Sequence, residues 1–161
     1  MSSGSLLIVW HSRTGTSEQL ARAAADGAGE GGVLLRAEDC APADLLSAGG
    51  YLFCCPENLA SMSGAMKEMF DRCYYPVLGQ IEGRPYATII AAGSDGEGAQ
   101  RQIDRIATGW RLKRATEPWI VNTDAQEPEE ILAEKTVAQN DIDQARQMGE
   151  AMAEGIAQGI F

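Results

Sequence analysis

The sequence predicts an α/β fold, a parallel sheet with helices on both faces. Three observations point to it. Five short apolar runs alternate with helix-spaced stretches, the runs are apolar throughout rather than at every second residue, and no repeat or low-complexity linker interrupts the order. Such alternation reads as βαβ units, and strands apolar on both faces are strands covered on both faces. At 161 residues the chain has the length of a single three-layer α/β/α sandwich spanning 1–161. A chain of that size can bury about two-thirds of its unfolded surface, so its core needs no staples.

The first run, Ser5-Leu-Leu-Ile-Val-Trp10, has strand length and gives way to a hydroxyl-rich turn. An Ala-rich helix is expected over 17–28, with Thr16 and Gln19 spaced as a capping box and Gly27 and Gly29 as its stop. Val33 to Arg36 reads as a second strand and Pro42 to Leu46 as a helical turn. Tyr51 to Cys55 is a third strand, ended by Pro56. Over 63–74, Met66, Met69, Phe70 and Cys73 fall at helical spacing between charged residues, a core-packing stripe rather than a cofactor box. Ala87 to Ala92 is a fourth strand, 98–108 a helix, and Trp119 to Asn122 a short fifth strand. Ala138, Ile142, Ala145, Gly149, Met152 and Ile156 then alternate spacings of four and three down one long helix, capped at Asp141.

Thirteen basic residues against 23 acidic ones give a net charge of −10, which argues against nucleic acid or an anionic membrane as partner. The imbalance is concentrated beyond residue 116, where ten acids face two bases, a solvated acidic surface. No apolar stretch reaches the ~20 residues of a membrane span. Met1 to Ser5 lacks the basic region of a signal peptide, so a cytoplasmic protein is expected. Cys40, Cys54, Cys55 and Cys73 show neither a C-x-x-C pair nor zinc spacing, and a lone histidine, His11, builds no metal site. Adjacent Cys54 and Cys55 would point to opposite faces of a strand, and all four thiols are expected reduced.

In an open parallel sheet, ligands bind outside the carboxyl ends of the strands, near the reversal of strand order. Three loops that follow strands are rich in small and polar residues: 11–17, 56–64 and 93–98. The first, Ser12-Arg13-Thr14-Gly15-Thr16-Ser17, opens a helix. Main-chain N–H groups and the positive dipole end suit an anion there, and four hydroxyls without a lysine suit a terminal phosphate monoester. Helix capping would explain one or two of those hydroxyls. Neither the P-loop nor the G-x-G-x-x-G dinucleotide pattern is present.

That loop after an N-terminal strand resembles the FMN-phosphate loop of flavodoxin-like proteins. The stretch from Pro56 through Ser63-Gly-Ala-Met-Lys-Glu-Met-Phe-Asp71 is similar to the loop and helix of the NAD(P)H-dependent FMN/quinone reductase branch, and Gly83-Arg84-Pro85 echoes the residues ahead of that branch's fourth strand. The resemblance implies a five-stranded parallel sheet of order 2-1-3-4-5 and one non-covalent FMN. It places the phosphate at Ser12, Arg13, Thr14, Gly15, Thr16 and Ser17. The isoalloxazine would lie between Pro56, Glu57, Asn58, Leu59, Ala60, Ser61, Met62 and Ser63 on one side and Gly93, Ser94, Asp95, Gly96 and Gly98 on the other. Small residues let the backbone approach a flat ring, and the glycines permit the turn.

The resemblance further implies NAD(P)H as electron donor and a quinone or similar small molecule, or a redox protein, as acceptor. No protein acid or base is required, and no catalytic residue is assigned. The middle loops carry none of the aromatics that electron-carrier flavodoxins stack on the ring, which leaves a face open for hydride exchange. The chain also lacks the longer insertions of many quinone reductases, so a second substrate's pocket is either incomplete or supplied by a homodimer partner. Glu57 and Asp95, if near the ring, would oppose its negatively charged reduced form; the other reading of both is solvent exposure. Arg101, Arg105, Arg111, Lys113 and Arg114 form either a patch for the 2′-phosphate of NADPH or an ordinary solvated surface. An electron carrier without its own substrate, and a flavin-free anion-binding domain on the same fold, remain as other readings.

Overall fold

The computed structural model describes residues 4–161, so the reading of Met1 to Ser5 as free of a leader lies mostly outside the described residues. Strands β1 (Leu6–Trp10), β2 (Gly32–Arg36), β3 (Gly50–Asn58) and β5 (Pro85–Ala92) pair in parallel in the order β2-β1-β3-β5. The far edge is built in two pieces, β6 (Lys113–Arg114) and β7 (Trp119–Asn122), both parallel to β5. Taken as one broken strand, they complete the order expected from sequence, 2-1-3-4-5. A two-residue strand, β4 (Ser61–Met62), pairs antiparallel with the end of β3.

Helices cover both faces. On one, β-residues Leu7, Val9, Tyr51, Phe53, Cys55 and Ile90 pack with Met66, Met69, Phe70 and Cys73 of α3 (Gly64–Val77) and Ile103 of α4 (Glu97–Gly109). On the other, Leu6, Ile8, Trp10, Leu52, Cys54 and Ile89 pack with α1 (Thr16–Ala28) and with Ala145, Met152 and Ile156 of α6 (Gln139–Gln158). Cys54 and Cys55 thus face opposite cores, as two neighbours on a strand must. All four cysteines are buried and unbridged. Burial pushes the Cys40 and Cys55 thiols up to about 12, which leaves them inert at neutral pH.

Three local expectations give way. Gly27 lies inside α1 instead of ending it, because a side chain there would collide with the main chain of Arg146 on α6. Thr16 is the first residue of α1 and Gly15 its N-cap, so the Thr16–Gln19 capping box does not form. Asp141 does not cap α6, which starts at Gln139 after Ala138. The short helix α5 (Pro128–Leu132) forms where no element was expected, and α2 (Pro42–Ser47) lies where expected.

Candidate functional site

The carboxyl ends of β1, β3 and β5 open into a cleft of about 430 Å³ including its open mouth. Ser12, Arg13, Thr14, Thr16 and Ser17 form one wall. Gly15 makes the turn into α1 at φ 106°, a left-handed conformation that favours glycine, and its N–H donates to Ser12 Oγ at 3.0 Å. Thr16 and Ser17 are buried, at 5 % and 1 % exposure. Among the described residues Ser17 Oγ has no hydrogen-bond partner. A buried hydroxyl left unpaired costs about 1–3 kcal/mol, so native chains keep one where something else satisfies it.

Pro56, Glu57 and Asn58 form the second wall. Here the structure departs from the expected loop. Pro56 does not end β3, because it lies past the last β1 pair, Trp10 with Cys54, where a missing N–H breaks no bond to β1. β3 runs on to Asn58 and returns through β4 in a hairpin turned at Leu59 and Ala60, both left-handed with φ 53° and 64°. Leu59 and Ala60 are exposed at the tip, whereas Met62 and Ser63 are buried beneath it. The Met62 N–H and the Ser61 hydroxyl donate to Gln102 Oε1 at 2.8 and 3.1 Å. Leu59, Ala60, Ser61, Met62 and Ser63 therefore shape the wall from behind and do not line the cleft.

Gly93, with Ala91 and Ala92, forms the floor. Ser94 and Asp95 are exposed beside it, and Asp95 accepts the Glu97 N–H at 3.3 Å. Gly96 caps α4 in a left-handed conformation, and a side chain on Gly98 would strike the Ala60 carbonyl oxygen. Glu57 is a charge in the cleft wall but not a bare one. Its carboxylate accepts the N–H groups of Gly96 at 2.8 Å and Ala99 at 3.1 Å, where the dipole of α4 offsets its charge. The expected electrostatic pressure of Glu57 on a bound ring is correspondingly reduced.

A fourth wall went unseen in the sequence. Thr123, Ala125, Ile131 and Lys135 line the cleft from the segment that joins β7 to α6. The Thr123 N–H donates to Ala92 O at 2.7 Å, and the Lys135 N–H to Thr14 O at 2.8 Å. Gln19, the expected capping-box partner, holds this strap. Its amide donates to Gly15 O at 2.9 Å and Lys135 O at 2.8 Å, and its carbonyl accepts the Val137 N–H at 3.1 Å. A Glu-Pro-Glu-Glu start at 127–130 was a helix signal that could have revealed α5. Nothing in local spacing ties residue 19 to residues 135 and 137.

His11 is a satisfied rim residue. Its Nδ1 lies 3.0 Å from Ser63 Oγ, and burial lowers its pKa below 6.5 against the raising effect of Glu38. Trp10 is buried in the second core with Arg22 and Arg36 over its ring, away from the cleft lining. In the basic group from 101 to 114, Arg101, Arg105, Arg111 and Lys113 are exposed and Arg114 is half-buried. Arg114 pairs with Asp104, donates to Thr88 and covers the Tyr86 ring, while Arg111 meets Glu82 at 3.6 Å. Among the described residues no group of three or more His, Cys, Asp or Glu is placed to hold a metal, and no helix is long and apolar enough to cross a membrane.

A family profile described as NADPH-dependent FMN reductase matches residues 41–124, half of the chain, including the second wall, α3 and the Gly93 floor. The chain belongs to that family. Membership makes it an FMN-linked redox protein of flavodoxin-like fold. An archaeal flavodoxin superposes with a TM-score of 0.76 at 15 % identity, covering 94 % of this chain and 98 % of its own. A WrbA-like flavodoxin from Agrobacterium tumefaciens gives 0.68 at 16 % identity, with coverage of 96 % and 98 %. An NADPH-quinone reductase from P. pentosaceus gives 0.65 at 15 %, with 90 % and 97 %. At such identities these likenesses establish the fold. No curated protein sequence matches the chain.

Proposed function

We propose that the cleft holds FMN and that the protein is an NAD(P)H-dependent oxidoreductase delivering electrons to a quinone or similar small acceptor. The observation that carries this reading is the orphaned Ser17 hydroxyl, 1 % exposed, in the cleft wall at the start of α1. It fits a phosphate oxygen, as do the Thr14 and Thr16 hydroxyls beside it and the main-chain N–H groups of the first helical turn. Pro56, Asn58, Ala91, Ala92, Gly93 and Ala125 offer the flat ring small side chains and main chain. Bound FMN would supply the hydride and electron chemistry, leaving the protein to bind, orient and exclude water. No aromatic side chain lines the cleft, which supports direct access of a nicotinamide over the sealed ring of an electron carrier.

The test has two arms. Purified protein should take up FMN, and anaerobic NADPH or NADH should bleach the bound flavin. Uptake without bleaching by either nicotinamide would support the electron-carrier reading instead. In the first arm Ser17→Ala should raise the Kd for FMN about tenfold, the loss of one buried hydrogen bond. The apoprotein should be as stable as before or up to about 1 kcal/mol more so, because an unsatisfied hydroxyl has been removed. A loss of stability with unchanged affinity would show Ser17 to be structural.

A further inference from the structure

The geometry points to Lys135 as the cation of the phosphate end of the cleft, presented there by Gln19. This assignment rests on the FMN reading above and adds to it a residue far from the phosphate loop in sequence. The hydroxyl loop itself supplies neutral donors and the exposed Arg13, whereas a phosphate monoester carries close to two negative charges. Lys135 is half-buried and lines the same cleft as Thr14, Thr16 and Ser17. Its position is fixed from three sides. Its own N–H bonds Thr14 O at 2.8 Å, its carbonyl accepts from the Gln19 amide at 2.8 Å, and the next but one residue, Val137, donates to the same Gln19 side chain at 3.1 Å.

Lys135 Nζ donates to the carbonyls of Glu130 at 2.7 Å, Ala133 at 2.7 Å and Ile131 at 3.2 Å, closing the end of α5. Those partners are neutral. Every ion pair among the described residues lies elsewhere, so no carboxylate within 4 Å cancels the Lys135 charge. The ammonium group is in ion contact with no carboxylate, though near enough to Glu130 to lower that carboxyl's pKa. A half-buried cation beside an anion-binding helix start attracts a dianion by its charge, its three N–H donors being bonded to carbonyls. Gln19 is the positioning residue. It joins the strap to the phosphate loop, so the wall that carries the cation and the wall that carries the hydroxyls move together.

The decisive comparison is FMN against riboflavin, which has the same ring and side chain but no phosphate. Full-length wild type, Lys135→Met, Lys135→Arg and Gln19→Ala are titrated with each flavin, followed by flavin fluorescence, with thermal unfolding of each apoprotein alongside. Lys135→Met should raise the Kd for FMN about tenfold and that for riboflavin less than twofold. Lys135→Arg, which keeps the charge, should stay within about threefold of wild type for FMN. Gln19→Ala should weaken FMN in the same direction as Lys135→Met. Wild-type affinity for FMN should fall with added salt, and the fall should be shallower in Lys135→Met. Equal weakening of both flavins by Lys135→Met, or no rescue by Lys135→Arg, would make Lys135 a wall residue only and overturn the assignment. Wild type that binds neither flavin would overturn the FMN reading and this assignment with it, an outcome separable because it needs no variant.

Discussion

At the scale of single residues, one buried and one half-buried polar group divide the roles of the rim. Ser17 is unsatisfied and faces the cleft, whereas His11 is satisfied by Ser63 and faces the protein. For His11 the consequence is a pH dependence. Its folded pKa lies below 6.5 because burial disfavours the imidazolium, so the unfolded chain binds the proton more readily. Its contribution is complete above pH 6.5 and is lost as pH falls below it. Denaturant midpoints measured from pH 7.5 down to about 5 should decline in wild type and decline less in His11→Gln, which keeps a partner for Ser63. A second decline, below pH 4.5, is expected from Glu68, held down by Arg72, and from Glu130, held down by the main-chain N–H groups of Glu127 and Gln126. The hydroxyls of the first loop were legible because four in six residues exceed the needs of capping. Lys135 was not, since its place depends on bonds across 116 and 118 residues to Gln19.

At the scale of elements, apolar runs and helical spacing identified every long strand and helix, because burial on two faces leaves an unbroken apolar signature. Ends were less legible. Caps came from Gly15, Gly96 and Ala138 rather than from hydroxyl or carboxylate side chains of the helix starts, and β4 and β6 are too short to carry a period. The β3–β4 hairpin was hidden for a chemical reason. Its turn uses Leu59 and Ala60 where such turns favour Asn and Gly, and each pays about 1–2 kcal/mol for a left-handed conformation. Leu59→Asn with Ala60→Gly should therefore raise stability by about 1 kcal/mol after the added chain entropy of glycine, read from urea unfolding. Affinity for FMN should not change, because neither side chain lines the cleft. The turn survives in its present form because Glu57 and Gln102 hold the hairpin to α4 from both sides.

For the whole molecule, the two helices that frame the phosphate end cross at glycines. A Cβ on Gly149 would enter the main chain of Ala24, just as one on Gly27 would enter that of Arg146. Gly149→Ala should force α1 and α6 apart at a cost of about 2 kcal/mol, lowering the thermal midpoint by roughly 4–8 °C. A smaller loss of FMN affinity should follow, since α1 begins at the phosphate loop. The broken outer strand has a consequence of another kind. Between Arg114 and Trp119 the border of the sheet carries Pro118, which has no N–H to offer, and flanking pieces of two and four residues. A foreign chain seeking to extend the sheet would find no continuous row of hydrogen-bonding groups on that side. An apolar, strand-rich interior is thereby kept from templating aggregation along this margin.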